Sequence, residues 1–92
     1  MNSGIPSDAK VYAQSPIFNQ DSVPAKLTQA HNTKPCVYGR LRVLSGSLRY
    51  VIIGPPETER SLSEGDDAII LPEQMHYVAI EGPVEFQIDF MK

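Results

Sequence analysis

The sequence predicts an all-β domain, a small antiparallel sandwich or barrel. Three observations carry that expectation. Short apolar segments rich in β-branched residues recur along the chain, each bounded by Gly, Pro, Asn or Asp. Several of them alternate, most cleanly at the end, where Val84, Phe86, Ile88 and Phe90 stand against Glu85, Gln87, Asp89 and Met91. No segment carries the spacing of a convincing amphipathic helix. Roughly seven to nine short strands fit such a pattern.

Composition narrows the class. The 92 residues are read as one domain, 1–92, with a loose lead-in over 1–9. A net charge of −3 argues against nucleic acid, whose phosphates call for clustered Lys and Arg. No apolar run reaches the ~20 residues of a membrane span, and no secretory leader is visible. Cys36 is the single cysteine, so no internal disulfide can form and a cytoplasmic location is the default expectation.

In chain order, Lys10–Gln14 alternates briefly around Val11 and Ala13 and reads as an edge strand. Ser15–Pro24 holds two prolines and a polar cluster, so a loop is expected there, with Ile17 and Phe18 tucked against the core. Lys26–His31 alternates again, placing Leu27, Gln29 and His31 on one side of a strand. A turn through His31-Asn32-Thr33-Lys34 follows. Val37–Ile53 reads as a hairpin with Gly46-Ser47 in a two-residue type II′ turn, pairing Ser45 with Leu48, Val43 with Tyr50, and Leu41 with Ile52. The other register would set Arg42 opposite Arg49, a repulsive pair. Gly54-Pro55-Pro56 breaks the strand, and Glu57–Ser63 is a polar segment with only Leu62 inward.

Gly65–His76, reading GDDAIILPEQMH, organises the rest. Gly65-Asp66 suits a turn needing a positive φ. Ala68–Leu71 is a short buried strand, ended by Pro72, which has no N–H to donate. Glu73–Met75 makes a tight connection and a strand restarts at His76, which shares a face with Val78 and Ile80. An imidazole on an apolar face at a strand entrance suits a metal ligand or hydrogen-bonding group, partly buried at a barrel mouth. Glu81-Gly82-Pro83 then turns into the last strand, where Asp89 points away from the core face.

A strand ending in His, a glycine-centred turn and G-D-x-x-x-x-x-P-x-x-x-H look like the two half-motifs of a cupin. More closely, Ser15–Phe90 resembles the small cupin domain of the tellurite-resistance protein TehB and of YeaR-like stand-alone proteins. The pieces that carry this are SPIF, HNTK, YGRLRVLSGSLRY, PEQMH and FQIDF. The resemblance implies a cupin-type double-stranded β-helix, cytoplasmic and dimeric, with a divalent metal such as Zn, Ni or Fe at the barrel mouth. A full cupin site takes two His and a Glu from the first motif and one His from the second. Here only His31 and His76 remain, the glutamate position is Gly39, and Gln29 stands where relatives carry an acid. His31, His76 and Gln29 are therefore the candidate metal ligands, short of the three strong donors of a catalytic zinc site.

Other residues offer weaker chemistry. Arg40 and Arg42, with Tyr38 beside them, could hold an oxyanion or carboxylate, and Glu73 lies near the mouth. Tyr38 and Tyr50 otherwise read as core or rim aromatics, and Cys36 as a small hydrophobe. These features favour a small-molecule- or oxyanion-binding module, a homodimer linked to a toxic-oxyanion stress response. The alternative is a metal-dependent dioxygenase or isomerase, which needs a general base that the inward faces do not supply. A partner for a separate methyltransferase is the third reading; the chain has no Gly-rich cofactor loop for that activity itself.

Overall fold

The computed structural model describes residues 8–54 and 56–92. Most of the lead-in expected over 1–9, and Pro55 of the Gly54-Pro55-Pro56 break, lie outside them. The chain is mostly β and every strand pairing is antiparallel. The strands are β1 Val11–Gln14, β2 Phe18–Asn19, β3 Tyr38–Ile52, β4 Thr58–Ser63, β5 Asp67–Ile70, β6 His76–Ala79 and β7 Val84–Met91, with one helical turn, α1 Ala25–Thr28. No helix among the described residues is long and apolar enough to cross a membrane.

The largest departure from the sequence reading is β3. The expected hairpin around Gly46-Ser47 does not form; the strand runs straight through the glycine. Its first half pairs with β7 and with β5, and its second half pairs with β4 and with β6. The cause lies in the alternation itself. Inward residues are odd-numbered at Leu41 and Val43 but even-numbered at Leu48 and Tyr50. A two-residue turn produces that change of phase, and so does an irregularity within one strand. The register against β7 shifts between Val43 and Ser45, and Gly46 sits at φ +71. The continuous strand wins because each half then gains two partners, and Leu41, Val43, Leu48 and Tyr50 all become at most 2% exposed.

The core lies between the two groups of strands that share β3. Leu41, Val43, Ala68, Ile70, Phe86 and Ile88 come from one group, and Leu48, Tyr50, Leu62 and Val78 from the other. As expected, Leu62 is the one inward residue of the polar β4, and β6 begins at His76. Gly65 takes φ +90 in the turn that precedes β5.

Two local expectations fail. Lys26–His31 is not a strand: Pro24 fixes φ −62, and the next four residues close a helical turn through Leu27 N–H to Pro24 O at 2.9 Å. Only Leu27 packs on the core, so the apparent alternation marked no face. Of the pair Ile17 and Phe18, Phe18 meets Phe86 at 5.7 Å between ring centroids, whereas Ile17 is 55% exposed.

The outer face of β3 and β7 carries a polar clamp. Arg42 donates to both oxygens of Asp89, at 2.9 and 3.1 Å, and to Gln87 Oε1 at 2.9 Å. Gln14 Nε2 donates to the same carboxylate at 2.8 Å, tying β1 to the sheet. Asp89 thus turns away from the apolar core, as its place in the alternation suggests, yet it is well buried. Burial works to raise its pKa, but the bonds from Arg42 and Gln14 and the charges of Arg42 and Arg40 outweigh it and hold the carboxyl below its ordinary value.

Candidate functional site

A cavity of about 340 Å³ opens beside α1, β3 and β6. Its walls are apolar: Leu41, Ile70, Val78, Ile88 and Phe90, with Gly39 leaving room where a larger residue would intrude. A cavity of this size with a few polar groups is the usual form of a small-molecule site. The polar groups here are His31, His76 and Tyr50, with Tyr12, Lys26, Lys34, Asn32 and Thr33 at the more exposed side. Among the described residues, no Asp or Glu lines it.

The two histidines meet because the segment after α1 bridges the start of β6. His31 N–H donates to His76 O at 3.0 Å and His76 N–H to His31 O at 2.8 Å. Opposed side chains on such a pair are near neighbours, and the imidazole centroids lie 4.2 Å apart at 62°. Each ring is oriented by a carbonyl two residues earlier: His31 Nδ1 lies 3.0 Å from Gln29 O, and His76 Nδ1 lies 2.6 Å from Gln74 O. A carbonyl can only accept, so each Nδ1 carries the proton, and in the neutral ring it is Nε2 that keeps the lone pair. Burial lowers the His76 pKa against the opposing Gln74 carbonyl, and the neighbouring His31 lowers it further, which favours the neutral ring. Expected to be partly buried at a rim, His76 is in fact only 3% exposed. The reason is that α1 and the His31 segment lie over β6.

Tyr50 stands beside them, 5.7 Å from His76 between ring centroids. Its hydroxyl is buried without a hydrogen-bond partner. Burial pushes its pKa up to about 12, so at neutral pH it is a donor. Tyr50 is a core aromatic, one of the two places its sequence position suggests, but the unpartnered hydroxyl was not foreseen. The available signal was a tyrosine, not a phenylalanine, at an inward position. The rim lysines Lys26 and Lys34 were missed as well.

The other candidates fall elsewhere. Gln29 holds His31 through its backbone carbonyl, while its side chain is exposed and forms no part of the cavity wall. Glu73 adopts φ +61 and anchors the turn through its N–H to Thr33 O at 2.9 Å; its side chain is exposed. Tyr38, Arg40 and Arg42 alternate with Gly39 and Leu41 and so lie on the face away from the cavity. Arg42 is engaged by Asp89, and Arg40 lies 3.6 Å from Asp67, both of the latter exposed. The anion clamp expected of these two arginines is thus occupied by the protein's own carboxylates. Tyr38 and Cys36 border a separate shallow depression with Lys92. Among the described residues, no three His, Cys, Asp or Glu side chains gather as a metal cluster.

Residues 13–88 match the TehB-like domain. The protein YeaR of Escherichia coli strain K12 is 29% identical over 85 residues, 83% of this chain and 71% of that protein. The crystal structure of TehB from Haemophilus influenzae superposes with a TM-score of 0.82 at 26% identity. It covers 92% of this chain, and the chain spans 32% of the TehB chain. A further crystal structure of an E. coli strain K12 protein gives a TM-score of 0.83 at 27% identity, covering 96% of this chain and 94% of that one.

Proposed function

Because the chain belongs to the TehB-like domain family, we propose that it is a cytoplasmic binding module, a cupin-type double-stranded β-helix whose cavity takes a small molecule or oxyanion beside a divalent metal. The proposed role is in a response to toxic oxyanions. One observation supports this above the rest: two neighbouring imidazoles, each with Nδ1 committed to a carbonyl, present both Nε2 atoms as free donors. Outer hydrogen bonds of that kind orient histidine ligands and fix their tautomer. His31 and His76 would hold Zn, Ni or Fe, with water or the ligand completing the shell. Such a metal would supply Lewis acidity; the chain itself supplies orientation and an apolar enclosure. The absence of a carboxylate from the cavity wall favours binding over the alternative, a cupin dioxygenase or isomerase, which needs a general base in reach.

The module is proposed to work as a homodimer. Among the described residues β1 ends the strand order, paired with β7 alone, and Val11 and Tyr12 are about half exposed on it. An open edge of this kind pairs readily with a second copy.

The test is metal binding by protein purified without a nickel column. Titration with Zn(II) should saturate at one metal per chain. His31→Ala and His76→Ala should each weaken uptake by at least ~100-fold, since even an outer-shell change costs ten- to a hundredfold. A folded His76→Ala variant that retains full metal affinity would overturn the site.

A further inference from the structure

We infer that the cavity is selective for a small hydroxy acid: an apolar, ring-sized body with a carboxylate at the Lys26–Lys34 rim and a hydroxyl at the inner end beside Tyr50 and the two histidines. This rests on the cavity being the binding site, but not on a metal.

Each part of the ligand answers a feature of the wall. The rim carries two ammonium groups, Lys26 and Lys34, and the whole lining carries no acid, so the field across the opening favours an anion. The middle is hydrocarbon, formed by Ile70, Val78, Ile88 and Phe90. At the inner end stand one donor and two acceptors without partners from the protein. Tyr50 Oη is buried and unbonded, and Nε2 of each histidine is left as an acceptor. A hydroxyl is the simplest group that accepts from a phenol while donating to an imidazole. A carboxylate there would face two lone pairs, and an ammonium would have to pass the two lysines.

The orphaned hydroxyl also marks a binding role over a structural one. A phenol that serves packing alone would be better as phenylalanine, because a buried unpaired donor opposes folding. Retaining it makes sense when a ligand supplies the missing acceptor.

The experiment uses EDTA-treated protein titrated with four probes of one shape: 4-hydroxyphenylacetate, phenylacetate, 2-(4-hydroxyphenyl)ethanol and 2-(4-hydroxyphenyl)ethylammonium. Backbone amide NMR shifts report the binding. 4-Hydroxyphenylacetate should bind tightest. Phenylacetate, lacking the hydroxyl, and the neutral alcohol should each be about fivefold weaker, and the ammonium weakest. Tyr50→Phe should cut the affinity for 4-hydroxyphenylacetate about fivefold, leave phenylacetate unchanged, and keep or raise the melting temperature. Lys26→Ala combined with Lys34→Ala should erase the preference for acid over alcohol while alcohol binding persists. No saturable binding of 4-hydroxyphenylacetate, an ammonium that binds as well, or a Tyr50→Phe protein that melts lower yet binds unchanged would each overturn the inference. The metal reading is judged separately: Zn(II) uptake without hydroxy-acid binding overturns this inference alone, and hydroxy-acid binding without Zn(II) uptake overturns the metal alone.

Discussion

Replacing Gly46 by Ala should be one of the most damaging single-methyl additions this chain can receive. A Cβ built there lies 2.1 Å from Pro83 O and 2.9 Å from both Pro83 C and Val84 Cα. The first is more than about 1 Å short of ordinary contact, and all three atoms are backbone, which has no rotamer to move into. The left-handed φ of +71 adds about 1 kcal/mol for an L-residue. Relief means parting β3 from the start of β7, losing one or two ladder bonds at about 1 kcal/mol each. It also shifts Val84, 2% exposed, for about 1–2 kcal/mol more. The total is about 3–5 kcal/mol, a large share of the 5–15 kcal/mol typical of a domain. Gly65→Ala is the control: its φ is +90, but nothing lies within 4 Å of the added carbon. It should cost only the backbone strain, about 1–2 kcal/mol. Urea unfolding followed by circular dichroism gives both values from the midpoints, provided the slopes agree. If Gly46→Ala costs no more than Gly65→Ala, close approach to Pro83 is not what requires glycine, and the account of the β3 irregularity is wrong.

Asp89→Asn keeps the shape of the clamp but removes its charge, and should destabilise by about 1–3 kcal/mol, moderated because Arg42 is a third exposed. Because the folded-state pKa of Asp89 is depressed, its contribution is present above the ordinary value of 3.8 and lost as pH falls through the folded value. Acid titration of stability should therefore show a limb that Asp89→Asn lacks; an identical acid limb in the variant would count against the clamp. Tyr50 acts with the opposite sign. Burial raises its pKa to about 12 because the phenolate is costly in the folded state, so stability should fall by about 3 kcal/mol as pH climbs from 10 to 12, where the unfolded chain ionises first. Tyr50→Phe should flatten this alkaline limb, and an unaltered limb would refute the burial argument. Sedimentation equilibrium at high micromolar concentration should find a dimer that a charge at Tyr12, such as Tyr12→Lys, weakens; monomer alone would exclude the β1 edge as the contact.

What could be read from the chain was whatever local rules decide. The last strand, β4 with its lone inward Leu62, and the restart at His76 all followed from alternation between turn residues. The resemblance carried by HNTK and PEQMH pointed to His31 and His76 together, and their backbones do bridge. Features decided by distant partners were hidden. Phase change at Gly46 has two structural solutions, and only pairing with β4 to β7 selects between them. Arg42 looked free because Asp89 lies far along the chain. α1 is a single turn, too short for any periodicity to register. That the Tyr50 hydroxyl would lack a partner depends on everything packed around it.

The sharing of β3 between both groups of strands also sets an order of assembly. Its second half meets β4 across a short connection, from Ile52↔Thr58 outward to Ser47↔Ser63. Its first half waits for β7, whose pairing with Tyr38 involves Met91 near the far end of the chain. Closing the larger loop costs more entropy and brings no reward until the ends meet. Leu48 and Leu62 should therefore show high φ-values in folding kinetics, and Leu41 and Phe86 low ones. With so much non-local pairing, the refolding rate should fall in the millisecond-to-second range of β-rich domains. A chain interrupted before β7 would keep a nucleus but leave the first half of its longest strand with β5 alone, one edge of Leu41 and Val43 open to other chains.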